Sequence, residues 1–563
     1  MPEVERRRER QVEDTADPAT RPSRPRGVRV IAWIGFAMFL FAAGILIVAA
    51  IYFRRAEPIL RARVIETLST RFDSRVELAS FGVSVFHGFE VEGGGLKLYP
   101  KQLDMQQPLF SVDKFSFRTG WRDLFRTPMH IAQVQITGLG INLPPKEQRH
   151  EIPKLDKGES KPGKIQILVD ELLIDNATLI LGTNKPGKVP LDFEISKVRM
   201  TSVGANQPMK FHAILTNPKP VGHIDSTGDF GPYNAHSPGD TPVRGQYSFS
   251  HADLSTLKGI GGILSSTGVY QGTLNNIVVD GETDTPDFRL TTANYSMPLH
   301  TKFHAIVDGT NGDTHLLPVD AVLAHSHIVA SGDVVRAPGV PGHDITLDIT
   351  VSPARIDDML KLGVKTEPPL MTGDLTMHAK LHLPPGQGTV LDRLHLKGNF
   401  QITDVHFTSE KIQSKVDELS LRGQGKTKEI KDGPLPDVAS NMNGDFELGA
   451  QKITIPDLHY EVPGAQVALS GAYTLDGQTF NFQGTARLQA KLSEMVTGWK
   501  SWALKLADPL FMKNGAGTEV PIEITGTRSE PHFGVDLDKM FGHKDKQKNG
   551  QAPPPPAAAA KPQ

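Results

Sequence analysis

A chain of 563 residues is too long for one ordinary compact core, so several domains or a single elongated, repeat-like body is expected. Basic and acidic residues nearly cancel, 61 against 63 for a net charge of -2; no basic footprint exists for a phosphate backbone, which argues against nucleic acid as a partner. Cysteine is absent, which removes disulfides, thiolate metal sites, iron–sulfur clusters and cysteine nucleophiles.

Gly (53) and Pro (42) make up about 17% of the chain, which favours a fold rich in turns. A chain without thiols is also well suited to an oxidising space such as a bacterial periplasm.

Residues 1–27 are rich in Arg, Glu and Pro and read as a disordered tail. Val30 to Phe53 then runs for 24 residues without a charge, carrying Ile31, Ile34, Phe36, Leu40, Ile45, Leu46 and Ile47. As a helix this run would be ~36 Å long, enough to cross a ~30 Å hydrocarbon layer. A cleaved signal peptide has a shorter apolar region that ends at small residues; this run ends at Ile51-Tyr52-Phe53-Arg54-Arg55, so an uncleaved transmembrane helix is predicted over 28–54. Arg21, Arg24, Arg26 and Arg29 before the span are matched by Arg54, Arg55, Arg61 and Arg63 after it, so charge does not set its orientation.

Leu60, Val64, Leu68 and Phe72 recur every four residues and predict an amphipathic helix over 55–74, which either lies on lipid or caps the first strand. From Arg75 the period becomes two: Val76 and Leu78, then Phe81, Val83 and Val85, and later Leu96 and Leu98. Ile345, Leu347, Ile349 and Val351 alternate with Asp344, Thr346, Asp348 and Thr350. The clearest stretch is Leu375 to Leu383, where Leu375, Met377, Ala379, Leu381 and Leu383 share one side of a strand and Thr376, His378, Lys380 and His382 the other. Short strands at near-regular spacing predict an all-β, mostly antiparallel body over 75–490.

Pro144 to Gly163 and Asn217 to Pro242 read as loops, and Ser250 to Leu264 and Ala354 to Leu362 as short helices. The residues opposite the apolar ones are mostly Thr, Lys, His, Asp and Gln, so one sheet face is wet and the other dry. The dry face meets a second sheet, meets itself across a folded sheet, or meets something that is not protein.

Alternation is densest between Asn443 and Leu492, including Phe480 and Phe482, with Pro463-Gly464 and Asp476-Gly477 where hairpin turns belong. Leu492, Met495, Val496, Trp499, Ala503, Leu506 and Leu510 then follow helical spacing, predicting an amphipathic helix over 491–513. It carries Trp499 and Trp502, two of the four Trp, and either meets a membrane or partner surface or plugs the end of the sheet. Closing strands are expected over 514–540, and 541–563, ending in a Pro- and Ala-rich run, reads as a flexible tail.

Gly471-Ala-Tyr-Thr-Leu-Asp-Gly477, Phe480-Asn-Phe-Gln-Gly-Thr-Ala486 and Pro521-Ile-Glu-Ile-Thr-Gly-Thr527 followed by Pro531-His-Phe533 resemble the carboxyl-terminal part of AsmA-like proteins. The amino end is similar to the same family: one span, an Arg-bearing helix, then strands leading to Phe89-Glu-Val-Glu92 and Leu96-Lys-Leu98. Where many members have a Thr-Gly-Arg turn after the helix, this chain has Phe72-Asp73-Ser74-Arg75. The order of parts carries the resemblance, over about 75 residues at the start and about 90 near the end, with only pattern between. It implies an inner-membrane anchor, a large carboxyl-terminal body in the periplasm, a β-groove of the bridge-like lipid-transfer type, and a role in maintaining the outer membrane.

No nucleophile elbow, Walker loop or His-Glu-x-x-His helix occurs, and Gly259-Ile-Gly261-Gly262 lacks the βαβ context of a phosphate loop. His325 and His327 fall at strand spacing, as metal ligands or as solvated strand residues. Asp308-Gly-Thr-Asn-Gly-Asp313 lacks the length and closing Glu of a calcium loop and reads as a hairpin.

The expectation is therefore a mainly β, elongated, mostly antiparallel β-groove with one amino-terminal transmembrane helix and a few short amphipathic helices. It is not an enzyme and uses no cofactor or metal. Its partners are membrane phospholipids and the inner membrane, together with outer-membrane or periplasmic proteins. Candidate groove residues are Ile345, Leu347, Ile349, Leu375, Met377, Leu381, Leu383, Phe480 and Phe482. The alternative function is a periplasmic scaffold that offers β-edges to outer-membrane proteins during assembly.

Overall fold

The computed structural model describes residues 58–535 apart from 149–166, 184–189, 495–517 and a set of short loops. The expected anchor with Ile31 to Ile47, the helix bearing Trp499 and Trp502, the Asp476-Gly477 turn and both tails lie outside the described residues. No helix among the described residues is long and apolar enough to cross a membrane.

The protein is mainly β, with one long sheet and few helices. Helix α1 (58–70) leads in and places Val64 and Ile65 against Leu78, Phe81 and Val91, so it covers the first strands. Strands β1 (Ser74–Glu77) and β2 (Ser80–Ser84) both pair with β3 (Phe89–Pro100), followed by β4 (Phe110–Thr119) and β5 (Met129–Leu143). Next, β6 (Ile167–Leu181) runs parallel to β5. A parallel step needs a crossover of a dozen or more residues, and 144–166 is that connection.

From there the chain meanders antiparallel through β7 (Leu191–Val203), β8 (Met209–Pro218), β9 (Val221–Phe230), β10 (Pro242–Asp253), the two-residue β11 (Ile260–Gly261), β12 (Ile263–Thr273) and β13 (Asn276–Leu290). It continues through β14 (Met297–Val307), β15 (Thr314–Leu323), β16 (Ser326–Arg336), β17 (His343–Arg355), β18 (Met371–Leu383), β19 (His395–Phe407) and β20 (Ser440–Gly449). The described part closes with β21 (Lys452–Val462), β22 (Ala465–Thr474), β23 (Thr479–Leu488), β24 (Thr518–Thr527) and β25 (Pro531–Val535).

Turn chemistry fixes the hairpins. Pro463-Gly464 joins β21 to β22 with Gly464 at φ +89°, a conformation that disfavours a side chain. Between β14 and β15, Asp308 accepts bonds from the Thr310 hydroxyl and backbone N–H, and these hold its carboxyl below the usual range.

Among the described residues four further helices sit between strands: α2 (Ile356–Gly363), α3 (Val390–Arg393), α4 (Glu410–Gly423) and α5 (Glu429–Asp432). The expected helix over Ala354 to Leu362 is α2. The one expected over Ser250 to Leu264 is not a helix: β10 runs on to Asp253, a single 3-10 turn at Leu254–Thr256 follows, and β11 and β12 resume the sheet. Register shifts between Phe249 and Ala252 break the alternation there, which removes the strand signal without supplying a helical one. The expected loop over Asn217 to Pro242 contains β9. Its five Pro residues, Pro218, Pro220, Pro232, Pro238 and Pro242, all fall outside β9 and leave Val221–Phe230 free to donate to the ladder.

Helices α2 and α4 and the 3-10 turns at Leu254–Thr256 and Leu492–Glu494 all follow the same ends of the meander, the ends at which β10, β17, β19 and β23 finish. Burial is concentrated along that rim. Val351, Ala354, Leu375, Ile402, Val405 and Met442 form one cluster under Ile356 and Met359 of α2. Val462, Ala465, Leu488 and Val520 form another around Val416 of α4. The sheet is thus roofed along the rim that bears α2 and α4; at the opposite rim, where α3 sits between β18 and β19, many apolar side chains stay half-buried, with Met209 on β8 and Val243 on β10 among the buried exceptions.

Candidate functional site

Register places the apolar side chains of successive strands directly opposite one another, so the alternation seen in single strands becomes a property of the whole sheet. One line begins Val83, Val91, Phe117, Val134, Leu172, Met200 and Phe211 on β2 to β8. It passes Gly228, Gly245, Tyr270, Val279, Ala305, Leu316 and Gly332 on β9 to β16. It then continues as Leu347, Leu381, Leu396, Leu448, Ile453, Tyr473, Phe480, Gly526 and Pro531 on β17 to β25. No charged side chain interrupts it, and the hydroxyls on it belong to tyrosines.

Most of these residues are half-buried instead of packed away; β5 and β7 contain no buried residue at all, and β6 only Ala177. Aromatic pairs add to the apolar surface, with the rings of Tyr473 and Phe480 at 5.1 Å and those of Phe400 and Phe446 at 6.2 Å.

The candidate residues read from the sequence divide by depth. Ile345, Leu347 and Ile349 on β17 stand opposite Leu383, Leu381 and Ala379 on β18, and Met377 stands opposite Val351 and Phe400. Phe480 faces Tyr473 across the ladder. All of these share the apolar face, with Ile345, Leu347, Ile349, Met377, Leu381, Leu383 and Phe480 half-buried. Leu375 and Phe482 share it too, yet are only 3% and 8% exposed and sit inside packed clusters, Leu375 near the roofed rim and Phe482 beside Val467, Leu469 and Ala486.

The element that sequence reasoning missed is α4. Ile412, Val416 and Leu419 follow helical spacing, but the helix is polar for one that packs inward, and it buries Gln413, Asp417 and Ser420. These are bonded inward: Asp417 accepts from the Val438 N–H at 2.9 Å and from Gln413 Nε2 at 3.1 Å, and Ser420 Oγ donates to the Pro463 carbonyl at 2.8 Å. Leu419 reaches the cluster of Val467, Leu469, Phe482 and Ala486 on the apolar face. In the same region burial pushes the Tyr460 phenol up to about 12 against the lowering effect of the Ser440 hydroxyl, which itself donates to the Val405 carbonyl.

The opposite face is wet and laced with cross-strand pairs. His304 meets Asp280 at 2.6 Å, His315 meets Asp333 at 2.6 Å and His382 meets Asp344 at 2.8 Å. Lys397 pairs with Glu447, and Arg118 with Glu90, and each carboxylate raises its partner's pKa. His325 lies in the turn between β15 and β16 beside Asp358, whereas His327 lies on β16 near Asp320, so the two rings address different carboxylates. No cluster of three metal-ligating side chains occurs among the described residues. Compared with protein families, curated proteins and solved structures, the chain matches none.

Proposed function

We propose that the chain is a membrane-anchored periplasmic protein of the AsmA-like type, whose long apolar sheet face is a trough for the acyl chains of phospholipids. The observation that carries this reading is the unbroken cross-strand line from Val83 to Pro531, half-buried and without a second protein layer over most of its length. The predicted span over 28–54, with its uncharged run Val30 to Phe53, supplies the anchor, and the wet face with its His–Asp pairs is turned to solvent.

Partition drives occupancy. Each CH₂ moved from water to an apolar floor gains ~0.8 kcal/mol, so a 16-carbon chain gains roughly ten kcal/mol before losses. Movement along the trough changes this little, because the floor is chemically uniform from strand to strand. Among the described residues β1 and β2 share one edge of β3, and β11 and β12 one edge of β13, so the path across the ladder at ~4.8 Å spacing is on the order of 100 Å. Transport along it serves maintenance of the outer membrane, and no covalent chemistry is required.

Photocrosslinkers placed at Leu347, Leu381, Leu396 and Phe480 in the intact chain test the reading. Capture of phospholipid at these sites, and not at Thr346 or Lys380 on the wet face, is the expected result. Crosslinks confined to β-barrel proteins would transfer the function to the assembly scaffold, and crosslinks only within the chain would show that the floor is covered by protein.

A further inference from the structure

Midway along the sheet the apolar face carries a belt of hydroxyls. Ser226 on β9 is opposite Tyr247 on β10, and Ser266 on β12 is opposite Thr283 on β13, which is opposite Thr301 on β14. Glycines make room for the tyrosine rings to lie flat. A Cβ on Gly245 would stand 2.6 Å from the Tyr270 hydroxyl, and one on Gly281 would stand 2.9 Å from the Tyr247 hydroxyl.

Proton counting decides what the belt offers. Ser226 Oγ donates to the Gln246 carbonyl at 3.0 Å, and Ser266 Oγ donates to the Glu282 carbonyl at 3.0 Å. A serine hydroxyl has one proton, so in the contacts that follow the phenols are the donors: Tyr270 to Ser226 at 2.8 Å and Tyr247 to Ser266 at 3.1 Å. Each phenol oxygen then faces the trough as an acceptor only. Thr283 and Thr301 share one bond at 2.6 Å, which leaves one O–H of the pair to donate. One step further along β13, Thr285 is 1% exposed and its Oγ1 has no partner among the described residues. Burial raises both phenols, so they stay neutral at any physiological pH.

We propose that this belt is a docking station for an acyl lipid bearing a hydroxyl group, whose O–H donates to the Tyr247 or Tyr270 oxygen and accepts from the threonine pair. The station rests on the trough reading and adds selectivity to it: a plain chain slides past, and a hydroxylated one pauses. The donor is carried either on the acyl chain or on the glycerol end of the lipid.

The test is displacement of a fluorescent fatty acid from the purified full-length chain by stearate, 12-hydroxystearate and monostearoylglycerol. One or both hydroxylated probes should displace it at about three- to tenfold lower concentration than stearate, the range expected for one added hydrogen bond. Preference for hydroxystearate places the donor on the chain, and preference for the glyceride places it at the head. The double substitution Tyr247→Phe/Tyr270→Phe keeps both rings over their glycines and should abolish the preference, so that the hydroxylated probes and stearate displace at the same concentration on that variant. Equal displacement by all three probes, or a preference that survives the double substitution, overturns the station and leaves the trough standing. Failure of every probe to bind overturns both.

Discussion

Leu375 and Leu381 lie on one strand and one face, six residues and ~20 Å apart, yet only the first is roofed. Leu375 is 3% exposed and packs with Val351, Ile402, Val405 and Met442; truncation to Ala leaves a cavity that costs roughly 2–5 kcal/mol. Leu381 is half-buried between Leu347 and Leu396 with no protein layer packed over it, so the same truncation should cost about 1 kcal/mol, and Leu381→Asp little more. Urea denaturation of the three variants measures this directly. Leu381→Asp should also empty the trough locally, read as loss of co-purifying phospholipid by mass spectrometry, whereas Leu375→Ala should leave lipid content intact wherever the protein is folded. Equal costs for the two Ala variants, or full lipid content in Leu381→Asp, would refute the distinction between roofed core and open floor.

Asp417→Ala strands the Val438 N–H and removes one of the two bonds that Gln413 Nε2 donates, leaving the one to the Val438 carbonyl, and should destabilise α4 by about 2 kcal/mol, seen as faster hydrogen exchange over 410–423 with β5 to β9 unchanged. Tyr460 favours its neutral form in the folded protein, so its contribution is complete below about pH 10 and is lost as pH rises through about 12. That amounts to about 3 kcal/mol, and Tyr460→Phe should flatten the alkaline limb of a pH–stability curve. Gly484→Leu drives a side chain into the Ala468 carbonyl and to 2.9 Å from Leu469 Cα, and should part β22 from β23, detected as new protease cleavage near 475–479.

Much of the architecture was legible because a strand with one wet face must alternate, and Ile345–Val351 and Leu375–Leu383 do so without a fault. The hairpins at Pro463-Gly464 and Asp308–Asp313 were legible for the same local reason: their residues favour the turn. What alternation cannot show is partnership. The parallel junction of β5 and β6 depends on a crossover whose sequence has no periodicity, and β9, with Gly222, Asp225, Ser226 and Gly228, is too polar and too small-residued to announce itself. The split between roofed and open floor was also hidden, since Leu375 and Leu381 are identical in type and setting along the chain. It is α4, with buried Gln413 and Asp417 where apolar residues are expected, and α2 that decide it.

After the single parallel step, almost every strand bonds only to its neighbours in the chain, with the two-residue β11 as the local exception. Such a molecule behaves as a tape measure. Adding or removing one hairpin changes its length by two strand widths, ~10 Å, without reversing which rim bears the helices, whereas an odd insertion would send every later helix to the other side. The length of such a sheet can therefore change by whole hairpins, with no need to redesign a core.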